Sequence, residues 1–172
     1  MENYQSILYN SNDNGNGLSR SVKNQLTMTG VMQKTMIKHL GTLTESLELD
    51  LPTTVHALIL LVRYIHFKEM KEDIVRDPVG SIAACVLLTL KARNLFKAKK
   101  FKEVVAGAYN VVYKRGNDND GSIVNIDMAE GVVNREEDVY SVLRRDVYVP
   151  DINSLLTVNF EKIYAAKNPS HT

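Results

Sequence analysis

The chain comprises 172 residues, 44% of them hydrophobic and 24% charged, enough apolar side chains for one substantial core. Its 21 Lys and Arg against 20 Asp and Glu give a net charge of +1, so no whole-chain field exists to draw in phosphate backbones or an anionic bilayer. The single Cys85 excludes an intramolecular disulfide, and the longest apolar run, Val79 to Leu90, falls short of the roughly 18 to 20 residues that a membrane-crossing helix requires.

The start, MENYQSILYN, lacks the basic and apolar regions of a secretory signal, and a soluble intracellular protein is expected. Residues 1–24 read as a flexible segment with an entry helix, and NSNDNGNG at 10–17 has the composition of a mobile surface loop. Met28, Met32, Met36, Leu40, Leu43 and Leu47 then recur at steps of three and four, which predicts a helix near 26–48 with one face buried. LPTT at 51–54 opens a second helix containing Val55, Leu58, Ile59, Leu61, Val62 and Ile65.

Asp77-Pro78 supplies an N-cap and a first-turn proline for a third helix, VGSIAACVLLTLKARN, residues 79–94. Almost no polar side chain interrupts its first twelve residues, so this helix is expected at the centre of the assembly, with the small Ala83, Ala84 and Cys85 letting its neighbours approach closely. A fourth helix near 99–113 carries Phe101, Val104, Val105, Ala108, Val111 and Val112 on one stripe. GNDNDG at 116–121 reads as a second mobile loop, and Val132, Val133, Val139, Val142 and Leu143 mark a fifth helix running to about Arg144. Residues 147–149 form a short extended link at most, and SLLTVNFEKIY at 154–164 has the pattern of one more short helix before a polar tail. Strand-like alternation is otherwise nearly absent, which makes the fold class all-α.

The chemistry-bearing residues do not assemble into a catalytic motif. The glycines at 15, 17, 116 and 121 lack the strand and the Gly-Lys-Ser/Thr context of a phosphate loop. His39, His56, His66 and His171 have no zinc spacing, and Cys85 in apolar company reads as an inert core residue. No catalytic residue, metal, cofactor or small-molecule substrate is therefore expected. The basic stretch KARNLFKAKKFK at 91–102 reads either as a solvated loop with Phe96 and Phe101 tucked inward or as a contact for an acidic partner or RNA.

Five helices around a buried third, with these landmarks in this order, resemble the cyclin box, in particular the first box of transcription-type cyclins of the L, K and T kinds. LPTTVHALILLVRYI, with Leu51, Pro52, Thr53, Ala57, Arg63 and Tyr64, is similar to the family's second helix, which reads Leu-Pro, Thr, Ala and then Arg-Phe. VGSIAACVLLTLKARN resembles the third helix, REEDVYSVLRRDVYV at 135–149 the fifth, and NGNGLS the approach to the first. The likeness covers roughly residues 17–164, with the box itself at 25–149; residues 150–172 then form a linker, short helix and tail, or the start of a second box. Where many cyclins continue Lys-Ile/Phe-Glu-Glu after the third helix, this chain reads Lys91, Ala92, Arg93, Asn94.

The resemblance implies a regulatory subunit, not itself an enzyme, that binds and activates a cyclin-dependent kinase as a heterodimer in transcription or RNA processing. It implies a nuclear location, with or without a cytoplasmic pool. In the family a lysine ending helix three and a glutamate starting helix five grip the kinase near its αC helix; the matching residues are Lys91 and Glu136, with Ala92 and Tyr140 beside them as further kinase-binding positions. The alternative is a cyclin-fold interaction module of the general-transcription-factor type that binds no kinase. A DNA-binding version of it should carry a strong basic face, which a net charge of +1 does not supply.

Overall fold

The computed structural model describes the backbone of residues 17–114, 124–149 and 152, with side chains from residue 30 onward within those ranges. Six helices occur there: α1 (Gly17–Ser46), α2 (Leu51–Phe67), α3 (Lys71–Arg76), α4 (Pro78–Ala92), α5 (Ala98–Tyr113) and α6 (Ile126–Val142). No strand occurs among the described residues, so the fold is all-α.

Local chemistry sets where the helices start. Asp50 accepts a hydrogen bond from the Thr53 amide at 2.9 Å, and Pro52 occupies the first turn of α2. Asp77 does the same for α4, accepting from the Gly80 amide at 2.9 Å. Each such cap stabilises its helix by about 1 kcal/mol. Gly80 matters here because a Cβ at this position would lie 2.2 Å from the Asp77 carboxylate. Three helices end in the same way, with a non-glycine residue in the left-handed region and a six-residue closing bond behind it. Glu48, Asn94 and Arg144 take φ of 55°, 58° and 54°, and the amides of Leu49, Leu95 and Arg145 donate to the carbonyls of Thr44, Leu90 and Tyr140.

The core is organised around α4. Pro78 and every residue from Gly80 to Leu90 are buried, and α4 packs against each of the other five helices. A helix with no polar face has this as its stable position, since each Leu, Ile or Val removed from water contributes about 1.5–3 kcal/mol. Met32, Met36, Leu40 and Leu43 of α1 are fully buried against this core, with Leu47 at its edge, as the spacing predicts. Met28's side chain lies outside the described residues, as do residues 10–16 and 116–121 of the two predicted loops and the predicted helix at 154–164.

Four differences from the sequence reading have physical causes. Helix α1 begins at Gly17, well before residue 26. Helix α3 is unanticipated, because six residues cannot display a helical period; it is seated by the buried Ile74 and Val75 and by the Lys71 ammonium, which donates to the carbonyls of Ile65 and Lys68 at 3.0 Å. Among the described residues the buried helix is consequently fourth, not third, and six helices rather than five surround or form the core. Helix α6 begins at Ile126, where Asn125 caps the Met128 amide at 2.8 Å, well ahead of Val132, the first residue that marks it in the sequence. Its first turns are only partly covered, with Ile126 76% exposed and Met128 half-buried against the core, so the buried stripe there is thin.

Two long-range polar contacts tie the bundle together. The His56 ring, 2% exposed, donates from Nε2 to the Val147 carbonyl at 2.7 Å and so anchors the chain after α6 to α2. Burial holds the His56 pKa below its ordinary 6.5, against the opposing effect of that bond. Its buried Nδ1 has no hydrogen-bond partner among the described residues, so protonation would bury an unpaired N–H. The folded state therefore binds fewer protons than the unfolded chain, and the stability His56 supplies is complete above pH 6.5 and lost as pH falls through its lowered pKa. Thermal melts between pH 7 and 5 should fall with a slope no steeper than about 1.4 kcal/mol per pH unit, the limit for one proton. His56→Gln, which keeps a donor but cannot titrate, should flatten that profile; equal slopes would assign the effect to another group.

The second contact is a cluster of Tyr64, Lys68, Arg135 and Asp138. Tyr64 donates to Asp138 Oδ2 at 2.6 Å, and the Lys68 ammonium donates to both Asp138 oxygens at 2.9 and 3.1 Å. Arg135 donates to the Tyr64 hydroxyl at 3.1 Å, to Asp77 at 3.2 Å and to the Asp73 carbonyl at 3.3 Å. Burial, then the bond to Asp138, pushes the Tyr64 pKa far up. Burial alone would raise Asp138, but the bonds from Tyr64 and Lys68 and the nearby cations outweigh it and hold this carboxyl below its ordinary range. The cluster fixes α6 in rotation against α2, α3 and the start of α4.

Candidate functional site

With α6 fixed by Arg135 and Asp138, Glu136 is turned toward the end of α4. There the Lys91 ammonium donates to Glu136 Oε1, joining two residues 45 positions apart in the chain. The Lys91 side chain is 45% exposed and that of Glu136 only 12%, so the carboxylate lies beneath and the ammonium faces outward. Lys91 Nζ also sits 5.0 Å from the Phe96 ring centroid, a cation–π contact from the connection that follows α4. Lys91 thus has two internal supports, and only part of its three-donor capacity is consumed.

This pair borders a groove of about 520 Å³. Leu88, Lys91 and Ala92 line it from α4, Val133, Glu136, Glu137 and Tyr140 from α6, and Val147 from the segment after α6. All four site residues expected from the sequence, Lys91, Ala92, Glu136 and Tyr140, therefore line one concave surface. Tyr140 is 39% exposed and Val133 52%, both with apolar area open to solvent.

Two corrections follow from the start of α6. Glu136 lies in the third turn of the helix and not at its beginning, so it has no part in capping; Asn125 performs that role. Val133, grouped with Val132 and Val139 as a mark of this helix, sits apart from them on the open face with Ile126 and Tyr140, while Val132 and Val139 face the core. The seven-residue steps from Ile126 to Val133 to Tyr140 were the available sign of a second, outward apolar face. Leu88, Glu137 and Val147 were missed because nothing local in the sequence relates the end of α4 to α6.

Other chemistry is sparse. Burial pushes the Cys85 thiol far up, which leaves it protonated and unreactive. Among the described residues no group of three or more His, Cys, Asp or Glu could hold a metal ion, and no helix is long and apolar enough to cross a membrane. Fold and groove together define an all-α protein built round a shielded central helix, with an open, partly apolar surface at that helix's exit. No family model, curated protein or solved structure matches this chain.

Proposed function

We propose that this protein is a cyclin-type regulatory subunit whose 25–149 region is a cyclin box, and that it binds and activates a cyclin-dependent kinase in transcription or RNA processing. The observation that carries the reading is the Lys91–Glu136 pair at the exit of a helix buried on every side, bordering a groove that also includes Ala92 and Tyr140. A kinase becomes active when its αC glutamate pairs with the strand-three lysine, so a partner that holds αC inward shifts a two-state equilibrium. Such a partner must be stiff, because a surface that orders only on binding loses that free energy. Lys91 meets this need, being oriented by Glu136 and Phe96 before any partner arrives. Its remaining donors can reach a backbone carbonyl of the kinase, the free oxygen of Glu136 can accept from an amide, and Tyr140 supplies apolar area of the kind enriched at interface centres. The nuclear location belongs to the same proposal.

Co-expression with individual cyclin-dependent kinases and measurement of co-purification and phosphorylation activity tests the reading. The double variant Lys91→Ala/Glu136→Ala should keep its melting free energy within about 1 kcal/mol, because the pair is partly solvated. Its kinase affinity should fall roughly tenfold or more. Wild-type activation by the double variant would remove the site assignment, and failure of every kinase to co-purify with the wild type would remove the function.

A further inference from the structure

We infer that the surface from Arg93 to Lys102, which comprises the α4–α5 connection and the first turn of α5, docks an acidic protein segment carrying several Asp or Glu around one apolar anchor. This does not rest on the kinase reading. Between residues 91 and 103 the chain places six basic side chains, Lys91, Arg93, Lys97, Lys99, Lys100 and Lys102, against the one acid Glu103, within a protein whose net charge is +1. Internal partners absorb only part of this charge. Lys91 is taken by Glu136, while Lys100 and Lys99 share Glu103 at 3.3 and 3.8 Å, the latter with its side chain 86% exposed. Lys97 and Lys102 are exposed and form no ion pair among the described residues. Like charges gathered this closely repel one another and gain from an external run of carboxylates. Leu95, 46% exposed in the middle of the stretch, offers an aliphatic contact for the anchor.

The same residues favour a peptide over a polynucleotide. Single-stranded nucleic acid is gripped by aromatic faces that stack on bases. Here Phe96 and Phe101 are partly buried against the core, and Phe96 also carries the Lys91 ammonium 5.0 Å from its ring centroid. Away from the patch the chain has more acids than bases, so no wider field supports a phosphate backbone.

Fluorescence anisotropy on the full chain tests the inference, with three labelled probes: a decapeptide of alternating Glu and Asp around one Leu, its Gln/Asn counterpart, and a single-stranded RNA of ten nucleotides. The acidic peptide should bind more tightly than either of the others, and binding should weaken with added salt. The charge-reversal variant Lys97→Glu/Lys99→Glu/Lys102→Glu, with its fold checked by circular dichroism, should bind the acidic peptide roughly tenfold more weakly, as expected for three exposed ion pairs. Leu95→Ser should also weaken it, whereas Lys91→Ala should leave it within about twofold. RNA binding as tight as the peptide's, equal binding of the neutral peptide, or an unchanged affinity in the charge-reversal variant would overturn the inference. Because Lys91 is not required for this contact, loss of peptide docking and loss of kinase docking are separable results.

Discussion

Introducing a carboxylate through Ala84→Asp is expected to abolish the cooperative thermal transition of the protein. Ala84 is fully shielded in the middle of α4, a helix in contact with every other helix of the bundle. No cation stands along that stretch, since its buried neighbours from Gly80 to Leu90 are apolar apart from Ser81 and Thr89. The Ser81 and Thr89 hydroxyls already donate to the backbone carbonyls of Asp77 and Cys85. An unpaired buried charge costs about 4 kcal/mol or more, against a total stability of about 5–15 kcal/mol for an ordinary domain. The added volume increases the cost, because a packed core does not yield to accommodate it. Circular dichroism melts decide the matter: a cooperative transition within a few degrees of wild type would mean that α4 is not the shielded rod described above. The docking surfaces could not then be preordered by it.

The next largest effect belongs to Asp138→Ala, which is expected to destabilise the fold by about 3 kcal/mol and lower the melting temperature by roughly 10 °C. Asp138 is the common acceptor for Tyr64 and Lys68 and lies 3.7 Å from Arg135. Its removal leaves the hydroxyl of a fully buried tyrosine and a largely covered ammonium short of their acceptor. Asp138→Asn, which can still accept from Tyr64 but carries no charge, should lose about half as much. The contrast is Arg76→Ala: Arg76 pairs with Glu72 at 3.9 Å with both side chains more than half exposed, and its loss should change stability by less than about 0.5 kcal/mol. Chemical denaturation of the three variants orders them. Equal losses at Asp138 and Arg76 would show that the cluster is no more than a solvated set of ion pairs. A destabilised Asp138 variant should also lose the alignment of Glu136 with Lys91, since Arg135 and Asp138 set the rotation of α6.

The two results together bear on how a small helical protein presents a docking surface. Lys91 is held from below by Glu136 and from the side by Phe96, while the helix that carries it cannot move without opening the core. Under the proposed function, binding free energy is not lost to ordering this residue, and the partner meets a lysine already in place. The basic surface beyond it is arranged differently, with long exposed lysines and one leucine. Its partner would be selected by charge before shape.

Several elements were readable because their cause is local. The three- and four-residue spacing from Met32 to Leu47 implies one buried face wherever the rest of the chain goes. Pro52 with Thr53 and Thr54, and Asp77-Pro78, mark a helix start within a few residues, so the starts of α2 and α4 follow directly, whereas the Asp50 cap shows only in the structure. Where the cause is not local, the reading failed: α3 is too short to show a period, and the early turns of α6 carry only a thin buried stripe. Val62 and Val133, both among the apolar residues that mark their helices, are 36% and 52% exposed, because which side of a helix faces the core depends on how its neighbours pack.

By itself, the sequence determined an all-α protein and placed α4 at its centre, because a helix without a polar side has only one stable environment. It also determined that the last turn of α4 ends in a cation beside an apolar run, and that six bases crowd into residues 91–102. Only the tertiary structure decided that Lys91 meets Glu136 across 45 positions, that His56 donates to the Val147 carbonyl, and that Phe96 turns under the lysine instead of outward. Such contacts depend on the rotation and crossing of whole helices, which are fixed by the summed packing of a core and by no short stretch of residues.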